Sequence, residues 1–410
     1  MAKTTRKRAS RKARSSSSKK SGSRPSKRRR TSSSKTFGGG SSNGQEAFLL
    51  VGTMKGAFVL RSDKSRKKWR VEGPHFRGEA VYALLHDTRG ERPRTFAATN
   101  SMHWGPTLRT SGDNGATWSE QGPQTVRFPA DSGRALAQIW QIASGRATEP
   151  DVFYCGVEPA ALFESRDGGK SWQPNQGLLN HEHQPRWQPG GGGLCLHTVV
   201  LDPDNPRRML IAISSGGVYR SDDGGKSWRA RNAGVRAQFL PEEHRYPEFG
   251  QCVHKVVHHP ARPGRLFLQN HWGLYRSDDW GDSWQDIANG VPSDFGFAMQ
   301  MHPHDPDTVY IVPIEADVFR ATPEAKLRVY RTRNAGASWQ PLTRGLPQSG
   351  AYENVLRDAL TADSFDSAGI YFGTRSGKLY GSRDEGATWT EIAGGLPPIV
   401  CVKTGTAGAA

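Results

Sequence analysis

Six carboxylates fall in the loops expected to share one face of the molecule: Glu248, Asp294, Glu315, Asp317, Glu353 and Asp358. Two carboxyl groups facing each other across a cleft are what glycoside hydrolysis needs, one as acid and one as base or nucleophile. Spacing alone selects no pair among the six. Glu315, Asp317 and Asp358 are the candidates, and no catalytic residue is assigned. Tyr352 and Glu353 are adjacent, so an extended chain points them to opposite faces and they make no nucleophile–base pair. A second set suits recognition rather than turnover. Trp104, Trp187 and Trp272 lie near His103, His181, His183, Asn270 and His271, with Arg357 and Arg375 further on. Large rings interleaved with histidines, acids and arginines are what a pocket for a polar ligand or peptide requires. His181 and His183 with His244 offer nitrogen ligands, but a tetrahedral site still needs a well-placed carboxylate or third histidine. No metal and no cofactor is assigned.

The elements that must position these residues come from a repeat. SGDNGATW at Ser111 returns as SRDGGKSW at Ser165, SDDGGKSW at Ser221, SDDWGDSW at Ser277, TRNAGASW at Thr332 and SRDEGATW at Ser382. A worn copy, SDKSRKKW, runs from Ser62 to Trp69. Three short apolar runs precede each word, as in CLHTVVLDP, RMLIAISS and GVYRS, and a brief fourth follows its tryptophan. Four short strands repeated seven times predict an all-β chain forming one seven-bladed β-propeller. EAFLLVGT starts the first unit at its second strand, and PIVCVKTG is a surplus strand past the last. The C-terminal strand near 398–404 is therefore expected to close the ring, removing exposed sheet edges.

The word S-x-D-x-G-x-T/S-W resembles the Asp-box (BNR repeat) of the sialidase-like propellers, where it forms the turn between a blade's third and fourth strands. The resemblance assigns Asp113, Asp167, Asp223, Asp279, Asn334 and Asp384 to accept turn hydrogen bonds. Trp118, Trp172, Trp228, Trp284, Trp339 and Trp389 would plug the gaps between blades. Repeated equivalently, the word is architecture rather than a site. Sialidases of this superfamily add an F/Y-R-I/L-P arginine before the first blade, but here that stretch reads GQEAFLLVGT, and their rings have six blades. The pattern is similar to the non-catalytic seven-bladed members such as the photosystem II assembly factor-like propellers. That implies a binding or assembly platform, with a glycoside hydrolase at the same face as the alternative.

Strands alternate direction, so the boxes share one face with the turns joining strands one and two. The turns between strands two and three and the crossings from blade to blade share the other. That second face carries the long insertions at 178–193, 239–250 and 314–326. The expected ligand surface is Trp104, Trp187, His271, Trp272, Glu315, Asp317, Arg357 and Arg375, receiving a protein, a peptide or a carbohydrate-like polar ligand. If Trp187 and Trp272 are open rings there, removing either should barely alter stability.

The formal net charge of +17 is concentrated: residues 1 to 45 hold fifteen Lys and Arg and no acid. Such a tail cannot bury enough apolar surface to order itself, and it is expected to be disordered and to attract nucleic acid or another polyanion. The expected domains are a tail over 1–45, a propeller over 46–405 and a disordered end over 406–410. The tail has no apolar signal core, and four cysteines (Cys155, Cys195, Cys252, Cys401) lack paired spacing. Free thiols, a cytoplasmic monomer without a membrane span, and a nuclear location only in a eukaryote are the corresponding expectations.

Overall fold

The computed structural model describes residues 46–407; the basic tail lies outside them. Seven antiparallel sheets follow one another along the chain, six of four strands and one of three. Their first strands are Ile399–Ala407, Ala80–Asp87, Gln138–Ser144, Leu196–Leu201, Val253–His258, Gly296–Met301 and Leu360–Ala362. Each touches the next, and the last touches the first, so they encircle one axis. We number the blades one to seven in that order. Among the described residues no helix is long and apolar enough to cross a membrane.

Blade one is completed by the C-terminal strand. Ile399–Ala407 pairs antiparallel with Glu46–Thr53, which in turn pairs with Gly56–Asp63. Ile399, Val400, Cys401 and Val402 are all buried in that join. The strand runs to Ala407, past the expected propeller boundary at 405. A second difference is in blade two, whose sheet has only three strands, Ala80–Asp87, Arg94–Ser101 and Gly105–Ser111. After Trp118, Ser119 makes one ladder bond to the Thr110 carbonyl (2.8 Å). Gly122 and Pro123 interrupt what would follow, because proline has no N–H to continue a ladder.

The six full copies of the word build the same turn, whereas in the worn copy the Ser62 hydroxyl has no such partner. In blade three the Ser165 hydroxyl donates to Asp167 Oδ1 (2.8 Å) and accepts from the Gly169 amide (2.9 Å). The Ser171 amide and hydroxyl both donate to the Asp167 carboxylate (2.9 and 2.6 Å). Gly169 has φ of 91°, a left-handed value that glycine adopts freely. In blade six the polarity of one bond reverses: the Asn334 amide donates to the Ser338 hydroxyl at 2.9 Å. The box tryptophans fasten blade to blade. Trp228, Trp284 and Trp339 donate through Nε1 to Asn175, Arg231 and Ile287, each just past the outer strand of the preceding blade.

These turns carry an acid signature. The Ser171 hydroxyl, then its amide, pull Asp167 down to about 2. At Asp223 burial pushes upward, but the Ser227 hydroxyl and amide outweigh it and the group also falls to about 2. Carboxylates depressed in the fold stabilise it fully above their unfolded value near 4, and that contribution is lost as pH falls through the folded value. We expect a thermal melt that begins to fall below about pH 6.5, where buried histidines such as His254 must charge, with the box carboxylates adding a further decline between about pH 4 and 2. In Asp167→Asn, which keeps an acceptor, the decline should be shallower; an identical acid limb would refute the assignment.

Candidate functional site

The inner strands of blades two to six each carry a one-residue register shift near their starts, at Val81/Ala83, Ile139/Gln141, Leu196/Thr198, Val253/Lys255 and Gly296/Ala298. A bulge leaves one residue out of the ladder and re-aims its side chain. The extra residues are Tyr82, Trp140, His197, His254 and Phe297, all ring-bearing. Tyr82 packs edge-on against Trp140 (5.0 Å between centroids), and His254 lies 4.4 Å from Phe297. Arg357 is buried among them, its guanidinium 5.1 Å from the Trp140 ring and 3.3 Å from Cys195 Sγ.

Above the part of this ring in blades four to six opens a cavity of about 470 Å³. Its walls come from the crossings between blades three and four and between blades four and five, and from the second-to-third-strand turns of blades four, five and six. Phe239, Leu240, Phe249, Trp272, Phe295 and Phe297 supply the apolar surface, and Arg186, Arg320 and Arg357 the charge. No Asp or Glu stands among the wall residues. Trp272 packs on His271 (4.2 Å) and Phe239 (5.4 Å); Arg186 lies over Phe249 and Arg320 over Phe297. Burial pushes His254 well below the ordinary histidine value. His271 is lowered as well, again chiefly by burial and despite Asp317 beside it. With both rings neutral at pH 7, the arginines give the wall its positive charge.

Of the residues expected at this surface, His271, Trp272 and Arg357 line the cavity. Asp317 stands behind the wall, Oδ2 3.4 Å from His271 Nε2, and Glu315 is exposed on the same loop. Trp104 is 71% exposed in a turn of blade two, and Arg375 is half-buried in the corresponding turn of blade seven; neither lines the cavity. Trp187 corrects the expectation of an open ring. It is buried, and its Nε1 donates to the Tyr219 hydroxyl at 2.8 Å. His181 and His183 brace the same crossing, bonding the Trp228 carbonyl and the Tyr219 hydroxyl (each 3.1 Å), while His244 is exposed.

Two of the six carboxylates are tied to lysines. Asp358 is buried and contacts Lys255 (2.8 Å) and Lys403 (3.2 Å). Burial pushes its carboxyl upward, but the lysines outweigh that and hold it far below the usual range, so it has no proton to give. Glu353 is buried against Ser376 (2.6 Å) and Lys378 (3.0 Å), whereas neighbouring Tyr352 is 68% exposed. Sequence reasoning missed the apolar wall residues, two of the arginines, and Cys252 and His254. The one available signal was the alternation in CVHKVVHHP, which sets Cys252 and His254 two residues apart.

The BNR/Asp-box repeat model matches residues 219–230. A probable oligoxyloglucan-reducing end-specific xyloglucanase of Neosartorya fischeri is 24% identical over 59% of this chain and 31% of its own length. A xyloglucanase of Paenibacillus is 22% identical over 60% of this chain and 25% of its own. The chain thus spans less than a third of the length of either curated relative. Among solved structures, an ancestral GH74 enzyme superposes with a TM-score of 0.54 at 17% identity, over 77% of this chain and 38% of that one. YCF48 bound to D1 peptide gives 0.48 at 15% identity, over 76% and 81%. The blade count, the box geometry and the family match agree: the chain is a seven-bladed β-propeller of Asp-box repeats.

Proposed function

We propose that this propeller is a binding platform whose channel-mouth cavity receives a peptide segment carrying an anionic group next to an apolar one. The observation that carries this reading is the wall itself, aromatic in surface, charged only by arginines and free of carboxylates. Arginine forks match a carboxylate in two-point contact, and aromatic side chains supply the buried area. Aromatic and arginine residues also dominate binding energetics where they are desolvated.

The similarity to xyloglucanases favours a second reading, glycan hydrolysis at the same face. That chemistry needs two carboxyl groups about 5 to 9.5 Å apart. Asp358 and Glu353 are committed to lysines and Asp294 to Arg236, which leaves the exposed Glu248 and, on one exposed loop, Glu315 and Asp317.

Short random peptides selected by display on the wild-type protein provide the test. For a selected peptide, Trp272→Ala should weaken binding by about 2 kcal/mol or more by calorimetry, and Arg320→Ala should remove any preference for an acidic residue. Equal affinity for wild type and Trp272→Ala would reject this cavity as the site. Release of reducing sugar from xyloglucan oligosaccharides, lost in Asp317→Asn, would establish the enzyme instead.

A further inference from the structure

One wall of the cavity carries a cluster of which only His271 belongs to the expected ligand set. The donor atoms of Cys252, His254 and His271 all lie within 4.8 Å of one another. Cys252 Sγ is 3.6 Å from His254 Nε2. Bond lengths of about 2.3 Å to sulfur and 2.0–2.1 Å to nitrogen, at a tetrahedral angle, put those two atoms about 3.6 Å apart around zinc. The edge is already set to the metal's size.

The surroundings hold the three side chains as a coordination shell requires. His254 Nδ1 lies 2.6 Å from the Gly296 carbonyl, which only accepts, so that nitrogen carries the proton and Nε2 keeps its lone pair toward the sulfur. Asp317 supplies a carboxylate beside the His271 ring, 3.4 Å from Nε2. A carbonyl or carboxylate behind each histidine is the usual support of a metal-binding imidazole. The backbone is preset as well: the His271 amide donates to the Cys252 carbonyl at 2.9 Å, and the bulge at His254 turns that ring toward both partners. All three residues line the cavity, so a further coordination position faces its interior.

We propose that Cys252, His254 and His271 form a three-ligand site for zinc or a similar borderline divalent cation, open to the channel-mouth cavity. Three protein ligands with one open position distinguish a reactive or ligand-anchoring site from a closed structural one. Bound there, the cation would draw an anionic or imidazole-bearing ligand into the cavity.

The test needs no peptide, so its failure leaves the platform reading standing. Full-length protein stripped with a chelator should take up one equivalent of Zn²⁺ by calorimetry. With Co²⁺ it should show a thiolate-to-metal charge-transfer band together with tetrahedral visible bands. Cys252→Ser should abolish the charge-transfer band, and His271→Asn should lose the stoichiometric site; both are partly exposed positions whose melts report folding separately. Asp317→Asn should weaken Zn²⁺ about 10–100-fold while leaving the spectrum in place. Residues 1 to 45 contain no Cys or His to compete. A wild-type protein that takes up no cation, or undiminished uptake in both Cys252→Ser and His271→Asn, would overturn the proposal.

Discussion

Deleting residues 397–410 should open the ring and leave a protein with little stable structure. Ile399, Val400 and Val402 are buried where the two ends meet, and burying an aliphatic side chain contributes about 1.5–3 kcal/mol. Three such residues, with the ladder along Glu46–Thr53, amount to much of the 5–15 kcal/mol that holds a typical domain together. The deletion also bares the Glu46–Thr53 edge, an apolar strand with unpaired backbone groups that invites pairing with another chain. Urea denaturation and size-exclusion chromatography should show a large loss of stability together with oligomers. A truncated protein that melts with the intact one would refute closure by this strand.

Trp187→Ala should cost about 3–5 kcal/mol in urea denaturation, the range for removing a large buried aromatic ring. The loss has two parts, a void beside Tyr219 and an unmet bond at the Tyr219 hydroxyl, which His183 also contacts. This reverses the expectation for an open ring. Trp272→Ala, on the cavity wall, should change stability far less, so the pair separates framework from surface within one face of the molecule. Trp187→Ala with unaltered stability would return that ring to the list of ligand contacts.

The blade plan was legible in the sequence because the Asp-box is a local device. Its serine, aspartate and glycine satisfy one another within five residues, so the chemistry of the turn is written in a contiguous word. Closure was legible for a similar reason, since a missing strand at one end and a spare at the other leave one way to complete the count. The Asn334 copy shows the limit of reading by type: the turn survives, but with the direction of one hydrogen bond reversed. Blade two departs from four strands because Gly122 and Pro123 act on a ladder that in blades three to seven lasts only two to four residues.

The cavity was not legible, because its parts come from long crossings whose paths are decided by tertiary packing. Trp187 and Trp272 look alike in sequence, each within four residues of a histidine. One turns inward to a tyrosine hydroxyl and the other toward Phe239. Cys252 and His254 were visible as alternating members of a strand, but His271 reaches them only through the pairing of that strand with its neighbour. Asp358 looked like a free acid until Lys255, a hundred positions away, was placed against it.

The same join that closes the ring sets the order of events on the ribosome. Residues 46–53 leave the exit tunnel roughly 350 residues before the strand they must pair with. At about 5–20 residues per second that is on the order of 20 to 70 seconds with a bare apolar edge. Contacts this remote in sequence also slow the final assembly, since the entropy of bringing the ends together must be met before the pairing can repay it. Association with holding chaperones should therefore persist until the strand from Ile399 is free to pair and fall once it does.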